Sequence, residues 1–385
     1  MPVASPSAPH QASPPRRVLH DADRLLPLAL SQPAKALIEA DRLLAGRPSS
    51  REASVARQAR GIILRDNGDI EASIAELRTA LRLAVDSGDA PRVADTKATL
   101  GATLGVAGRT AEGLDLLDQA VRSSTGGLAG QILTRRAALL RVLGRYDAAL
   151  GDLRRAIHLQ RRAGDAVWEA RSRMNRFAVY VLLGRTAEAD RELVQGERLF
   201  IATGQQMEAA MMVHNRADLA YQAGDLPAAL DLLDRAQRRY RGLGVYNADL
   251  ARDRSRTLLA AGLADEAAAV AGSAVRNHVE RGGYSTKTAE LLLAAGRAAL
   301  AAGRPKQAAA WAGEARDLVV RQGRHGLRLR ADHILVQSRY ALGERGAALA
   351  GLASGLADQL DALSAAEAPA AHLLAGRLAT GHSGR

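Results

Sequence analysis

The chain has 385 residues, of which 47% are hydrophobic, 24% charged and only 3% aromatic, and its formal net charge is +12. It contains no cysteine, which excludes disulfide bonds, thiolate metal sites and cysteine nucleophiles. Because alanine and leucine dominate and enter helices at little cost, the composition favours an all-α protein.

At the amino terminus, residues 1–17 read MPVASPSAPHQASPPRR, a composition that predicts a disordered tail. Residues 18–50 predict a degenerate cap unit, because SQPAKALIEADRLLAG, from Ser31 to Gly46, resembles the second helix of a pair. No apolar stretch is long enough for a secretory signal or a membrane span. We therefore expect a cytoplasmic protein that does not enter a membrane.

Residues 51–360 predict eight repeated helix pairs. Glycines that follow apolar helical stretches recur every 36 to 41 residues, at Gly68, Gly108, Gly144, Gly184, Gly224, Gly262, Gly303 and Gly343. About twenty residues later comes a second series: Gly88, Gly164, Gly204, Gly244, Gly282 and Gly323, with Gly126 and Gly127 standing in for the shortest unit. Since glycine accepts the left-handed backbone that ends a helix, each unit predicts two helices.

The second helix of each predicted pair carries small residues five and twelve positions after the first glycine, with leucine or alanine at position nine. These offsets share one helix face, so the pattern predicts a close crossing against the first helix. In six of the eight pairs the residue seven positions before the glycine is also small. For the last pair, the offsets place Ala348, Leu352 and Gly355 on the packed face.

This combination of small residues and turn glycines resembles the tetratricopeptide repeat. The resemblance implies a right-handed α-solenoid of antiparallel helix pairs, with a period near 40 instead of the usual 34 and helices about one turn longer. The first-helix tryptophan and the closing proline of the common form are missing. Residues 361–385 are expected to form a capping helix, from Ala365 to Leu378, and a tail.

Two segments resemble more closely the repeat region of actinobacterial CHAT proteins, in which such an array precedes a caspase-like protease. They are LGRYDAALGDLRRAIHLQRRAGDAVWEARSRMNRFAVY, from Leu143 to Tyr180, and AGDLPAALDLLDRAQRRYRGLGV, from Ala223 to Val245. That family's catalytic pair is a histidine and a cysteine in the second domain. Because this chain has no cysteine, we expect a stand-alone or truncated repeat array that is not an enzyme.

Arginine recurs eight residues before the turn glycine in five of the eight pairs: Arg60, Arg136, Arg176, Arg216 and Arg254. One hypothesis is that these ladder arginines line a groove and bind the carboxylates or carbonyls of a peptide. The other, which we favour, is that each pairs with an acid of a neighbouring helix, such as Asp152, Glu192 or Asp231, and fixes the register.

The resemblance also implies that first helices line a concave face that binds a partner. The candidate partner-binding residues are Arg136, Arg176, Arg216, Arg254, Asn175, Asn215, His214, Arg171, Arg256 and Arg297. The nine histidines never occur in an HxxxH or HExxH spacing, so no metal site, catalytic group or cofactor is predicted.

The sequence therefore predicts a non-catalytic scaffold or sensor that binds a peptide or protein segment in a concave groove. The alternatives are a regulatory array of a CHAT-type protease system and the ligand-sensing arm of a transcription regulator. Nucleic-acid binding ranks behind protein binding, because basic residues are interleaved with acids, as in DLLDRAQRRYR from Asp231 to Arg241. The oligomeric state is left open.

Overall fold

The computed structural model describes residues 21–282, 285–361 and 368–380, and all of the regular structure there is helical. The predicted disordered tail, residues 1–17, lies outside the described residues, as do residues 362–367 and 381–385 of the predicted closing segment. Within the described residues, none of the helices combines the length and hydrophobicity that crossing a bilayer requires.

The chain divides into two compact units, residues 1–183 and residues 184–385. The described part of unit 1 contains a 3-10 turn, Asp21–Arg24, followed by nine α-helices: α1 (Leu25–Ser31), α2 (Pro33–Ala45), α3 (Ser50–Asp66), α4 (Ile70–Asp86), α5 (Ala90–Val106), α6 (Thr110–Arg122), α7 (Gly126–Val142), α8 (Tyr146–Ala163) and α9 (Ala166–Leu182).

The described part of unit 2 contains ten α-helices: α10 (Thr186–Ala202), α11 (Gln206–Gln222), α12 (Leu226–Gly242), α13 (Ala248–Ala260), α14 (Ala264–Glu280), α15 (Ser285–Ala301), α16 (Pro305–Arg321), α17 (His325–Ala341), α18 (Ala347–Asp361) and α19 (Ala368–Thr380).

Consecutive helices in each unit form antiparallel pairs that stack side by side. The pairs within unit 1 are α3–α4, α5–α6 and α7–α8, and those within unit 2 are α11–α12, α13–α14, α15–α16 and α17–α18. First helices of neighbouring pairs also touch each other, from α3 through α5 and α7 to α9 in unit 1 and from α11 through α13 and α15 to α17 in unit 2. Each unit therefore has a face built from first helices.

The predicted glycine turns are present at every position. All eight glycines of the first series adopt positive φ, as do the six of the second series and Gly126. At Gly144, for example, φ is +71°, and a β-carbon there would meet no atom within 4 Å. The turn therefore requires glycine for its backbone conformation and not for lack of space.

The small residues of the pattern lie where the two helices of a pair cross. Leucines at the ninth position, such as Leu77, Leu117 and Leu153, are fully buried. At the crossing of α5 with α6, a β-carbon on Gly101 would lie 2.7 Å from the carbonyl oxygen of Gly113. Small side chains thus allow two backbones to approach, as the spacing predicted.

In the last pair the predicted packing face is wrong by one residue. Leu352 is 54% exposed and Leu349 is fully buried, while Ala348 and Gly355 are exposed. The reason is the longer turn between α17 and α18, which spans residues 342–346 and delays the start of α18 to Ala347. The buried stripe of α18 is consequently Leu349, Ala353, Leu356 and Leu360.

One first helix is shorter than its neighbours. Helix α13 has 13 residues, whereas α11, α15 and α17 have 17 each. Residues 243–247 are not helical and stand in place of its first turn.

Candidate functional site

The ladder arginines connect first helices to second helices through ion pairs. Arg136 on α7 donates two hydrogen bonds of 2.7 Å to the carboxylate of Asp152 on α8, and a third of 2.7 Å to Asp118 on α6. The hydrogen bonds to Asp152 raise the pKa of Arg136. Its charge is therefore neutralised by two second helices, and both geometry and charge suit a residue that fixes register.

Other ladder arginines make the same kind of contact. The observed pairs are Arg60 with Asp41 on α2 and Glu76 on α4, Arg216 with Asp190 and Glu197 on α10, and Arg254 with Asp234 on α12. Arg176 occupies the equivalent position on α9 and is half-buried. The guanidinium groups of Arg60, Arg136, Arg216 and Arg254 thus already have carboxylate partners.

A second set of residues forms one continuous stripe on the first helices of unit 1. Steps of four and three along a helix keep side chains on one face. The stripe, called here the unit 1 face, consists of Asp95, Thr99, Ala102 and Val106 on α5, Arg135, Ala138 and Val142 on α7, and Trp168, Arg171, Asn175, Ala178 and Leu182 on α9.

The polar half of the unit 1 face is organised around Asp95. Its carboxylate accepts a hydrogen bond of 2.7 Å from Arg135 on α7 and one of 3.1 Å from Gln58 on α3, and it lies 3.2 Å from Arg92 on its own helix. Burial raises the pKa of Asp95, but the charges of Arg135 and Arg92 and these hydrogen bonds lower it to about 2. Three first helices are thereby joined through one ionised carboxylate.

Next to this network two guanidinium groups lie close to the same indole ring. The Arg135 guanidinium is 5.0 Å from the centre of the Trp168 ring, and that of Arg171 is 5.1 Å from it. Both distances fall within the range of cation–π attraction. The predicted residue Asn175 donates a hydrogen bond of 3.0 Å to the backbone carbonyl of Arg171, one turn earlier on α9.

The other half of the unit 1 face is apolar and open to solvent. Val106 is 64% exposed, Val142 is 65% exposed and Leu182 is 52% exposed. These three residues, called here the apolar row, occupy equivalent positions on α5, α7 and α9. These three aliphatic side chains are aligned on one face, whereas a solvated surface usually exposes hydrophobic residues singly.

The first helices of unit 2 also carry polar residues that are paired with each other. The His214 imidazole lies 3.0 Å from Asp253, and Arg256 donates a hydrogen bond of 2.6 Å to Asp218. Arg256 also lies 4.2 Å from the centre of the Tyr221 ring. The remaining predicted residues of unit 2 are Asn215, half-buried on α11, and Arg297, exposed on α15.

Two features of the unit 1 face were not identified from the sequence, namely Trp168 and the apolar row. The row has a sequence signal, because Val106, Val142 and Leu182 each stand two residues before a turn glycine. No other first helix carries a tryptophan at the position of Trp168, so the repeat pattern gives no sign of it. Among the described residues, no group of three or more histidines and carboxylates is arranged to hold a metal ion.

No protein-family model matches the chain, and no curated protein matches it either. Among solved structures, it is similar to a signal transduction ATPase with numerous domains (STAND) protein with a tetratricopeptide repeat sensor from Pyrococcus horikoshii. The TM-score is 0.65 at 11% identity, and the match covers 90% of this chain. The match covers 54% of the STAND protein, so the chain spans about half of that protein's length.

Two further solved structures have a TM-score of 0.51. One is a Rap protein complexed with competence and sporulation factor, at 13% identity and with 86% of this chain and 97% of that chain covered. The other is aspartyl phosphate phosphatase F from Bacillus subtilis, at 12% identity and with 74% of each chain covered. Together with the helix pairs, these similarities establish an all-α solenoid fold of tetratricopeptide-like repeats.

Proposed function

We propose that the chain is a non-catalytic scaffold or sensor that binds a peptide or protein segment on the unit 1 face. The observation that carries this proposal is the apolar row, which lies on the same stripe of the first helices as the Arg135–Trp168–Arg171 cluster. A surface that combines exposed aliphatic residues with a tryptophan and arginines is typical of partner-binding sites.

The chemistry of the face favours an amphipathic segment with acidic side chains. Apolar side chains of the segment would cover Val106, Val142 and Leu182, and its carboxylates would approach arginines. The arginines of the unit 1 face that a carboxylate would approach are Arg135 and Arg171, which are both half-buried.

The solved structures add an analogy of class. The STAND protein is described as having a tetratricopeptide repeat sensor, and the Rap protein was solved with competence and sporulation factor. A sensing or partner-binding role for this chain is proposed here partly by that analogy.

We further propose that Arg136, Arg216 and Arg254 fix the register of the pairs and do not contact the partner, because carboxylates of second helices already occupy them. The idea that the partner belongs to a CHAT-type protease system rests on the sequence resemblance alone. Binding of this chain to a CHAT protease encoded in its host would support that idea, and absence of binding would count against it.

A peptide selection tests the proposed surface. A phage library of random peptides would be selected on the full chain, and the affinity of enriched peptides would be measured by fluorescence anisotropy. We expect the peptides to combine aliphatic and acidic residues. Val142→Glu should weaken their binding about tenfold or more, because it places a carboxylate in the apolar row.

The matched control is Val85→Glu, since Val85 is 57% exposed but lies near the end of α4, a second helix. Its peptide affinity should equal that of the unchanged chain. If both variants weaken peptide binding equally, or if Val142→Glu leaves the affinity unchanged, the peptide does not bind on the unit 1 face.

A further inference from the structure

Unit 2 contains a pocket that lies away from its first-helix face. It has a volume of about 690 Å³ and is formed by α12, residues 243–247, α13 and α14. The pocket exists because α13 begins only at Ala248, so a helical turn is missing between α12 and α14. The α13 residues that line it are Leu250, Ala251 and Arg254, whereas Asp253 and Arg256 belong to the opposite, ion-paired face described above.

The pocket is lined by cations without matching anions. Arg241, Arg254 and Arg281 line it, and none of the described lining residues is an aspartate or a glutamate. Arg254 is paired with Asp234 of α12. Arg241 is exposed, and the Arg281 guanidinium lies 5.5 Å from the centre of the Tyr246 ring. Two guanidinium groups thus stand at the pocket without a carboxylate partner among the described residues.

The remaining walls are aromatic, aliphatic and neutral polar. Tyr246 donates a hydrogen bond of 3.0 Å to the backbone carbonyl of Ala274, which fixes its ring. Tyr240 is almost fully buried, and burial raises the pKa of its hydroxyl. The hydroxyl therefore stays neutral, and Tyr240 contributes an uncharged aromatic wall.

We infer that this pocket binds a small organic carboxylate, with its carboxylate held by Arg241 and Arg281 and its apolar or aromatic body against Tyr240 and Tyr246. The volume of the pocket lies within the range of small-molecule sites and far exceeds the volume of an inorganic anion. An inorganic anion would leave the tyrosines and Leu250 uncovered. A neutral ligand would leave the guanidinium groups without a counter-charge, although arginine forms its strongest hydrogen bonds with carboxylates.

This inference goes beyond the proposed partner binding, because it gives the array a small-molecule ligand at a separate site. Its test uses the full chain and isothermal titration calorimetry. The probes are 4-hydroxyphenylacetate, indole-3-acetate and hexanoate, with 4-hydroxyphenylacetamide as the neutral match and inorganic phosphate as the ion alone. We expect saturable binding of at least one carboxylate. The amide should bind about tenfold more weakly than 4-hydroxyphenylacetate, or more weakly still.

Two variants locate the binding. Replacing both Arg241 and Arg281 by Gln should weaken the carboxylate about tenfold or more. Ser273→Phe should abolish binding by filling the pocket, since Ser273 is exposed on α14 and lines it. The matched control is Arg238→Gln, because Arg238 is exposed on α12 and is not among the lining residues.

The inference is overturned if no carboxylate binds, if phosphate binds as tightly as the carboxylates, or if the arginine variant binds like the unchanged chain. Circular dichroism of each variant establishes that it is folded. If Ser273→Phe does not fold, the double arginine variant decides the question by itself, because both of its substitutions are on exposed arginines.

Discussion

Asp95 is the side chain on which three first helices of unit 1 converge, through Gln58 of α3, Arg92 of α5 and Arg135 of α7. Its carboxylate is almost fully buried, and it is tolerated there because arginines and hydrogen bonds surround it. Removing its charge should affect the cohesion of the face more than removing an exposed carboxylate would.

The lowered pKa of Asp95 gives a prediction for acid stability. Because the folded pKa of Asp95, about 2, lies below the ordinary aspartate value of 3.8, ionisation of this carboxyl stabilises the folded chain at pH values above that ordinary pKa. This stabilisation is lost as the pH falls through the folded pKa. Between about pH 5 and pH 2, the unfolding free energy of the natural chain should fall by about 2 kcal/mol more than that of Asp95→Asn.

Urea denaturation at several pH values measures this difference. The control is Asp147→Asn, which changes an exposed carboxylate on α8. If the unfolding free energies of the natural chain and of Asp95→Asn depend on pH in the same way, the ion pairs and hydrogen bonds described for Asp95 are contradicted.

Arg136→Gln separates the two hypotheses for the ladder arginines. The variant loses hydrogen bonds to Asp152 and Asp118, so the unfolding free energy should drop by about 2 kcal/mol. Arg154→Gln, an exposed change on α8, should alter it by less than about 0.5 kcal/mol. A peptide selected on the chain should bind Arg136→Gln unchanged; loss of affinity without loss of stability would restore the groove hypothesis.

Sequence reasoning found the ladder because arginine repeats at one offset, but it could identify the partners only in part. The pair of Arg136 with Asp152 was anticipated. Asp231, which was named as a possible partner, pairs with none of the ladder arginines among the described residues, and Arg254 pairs instead with Asp234, one turn later on α12. Both aspartates lie on the same helix, and only the rotation of that helix in the assembled pair decides which one faces the arginine.

At the scale of the helix pair, the crossing of α5 and α6 leaves no room for a side chain at Gly101. Gly101→Ala would place a methyl group 2.7 Å from the carbonyl oxygen of Gly113, so the helices must separate. We expect a loss of about 1–3 kcal/mol in unfolding free energy.

Gly151→Ala is the matched change within a helix. Gly151 lies inside α8, and a β-carbon there would meet no atom within 4 Å. This variant should gain about 0.5–1 kcal/mol, because alanine favours the helix. Thermal unfolding followed by circular dichroism measures both variants, and a neutral Gly101→Ala would contradict the close crossing.

Two elements departed from the pattern for reasons that the sequence leaves ambiguous. In α18 two stripes are apolar, one containing Leu352 and the other Leu349, and the length of the preceding turn selects the second. In α13 the missing first turn follows Gly244, and the shortened spacing from Gly244 to Gly262 indicates a shorter helix but does not indicate a pocket.

At the scale of the whole chain, the fold was predictable because every pair carries the same signal independently. The turn glycine and the small residues around it recur eight times, so the repeat can be recognised even where one pair is irregular. The unit 1 face was not predictable in the same way. Whether Val142 is buried or exposed depends on how neighbouring pairs stack, and that information is spread over several repeats.

The most direct test of the proposed function is site-specific photocrosslinking of a selected peptide. A benzophenone amino acid would replace Val142, Val85 or Ser273 in three versions of the full chain. The account predicts that the peptide is crosslinked from position 142, that unlabelled peptide suppresses this product, and that positions 85 and 273 give none. Crosslinking from position 85 or 273 without crosslinking from position 142 would contradict it.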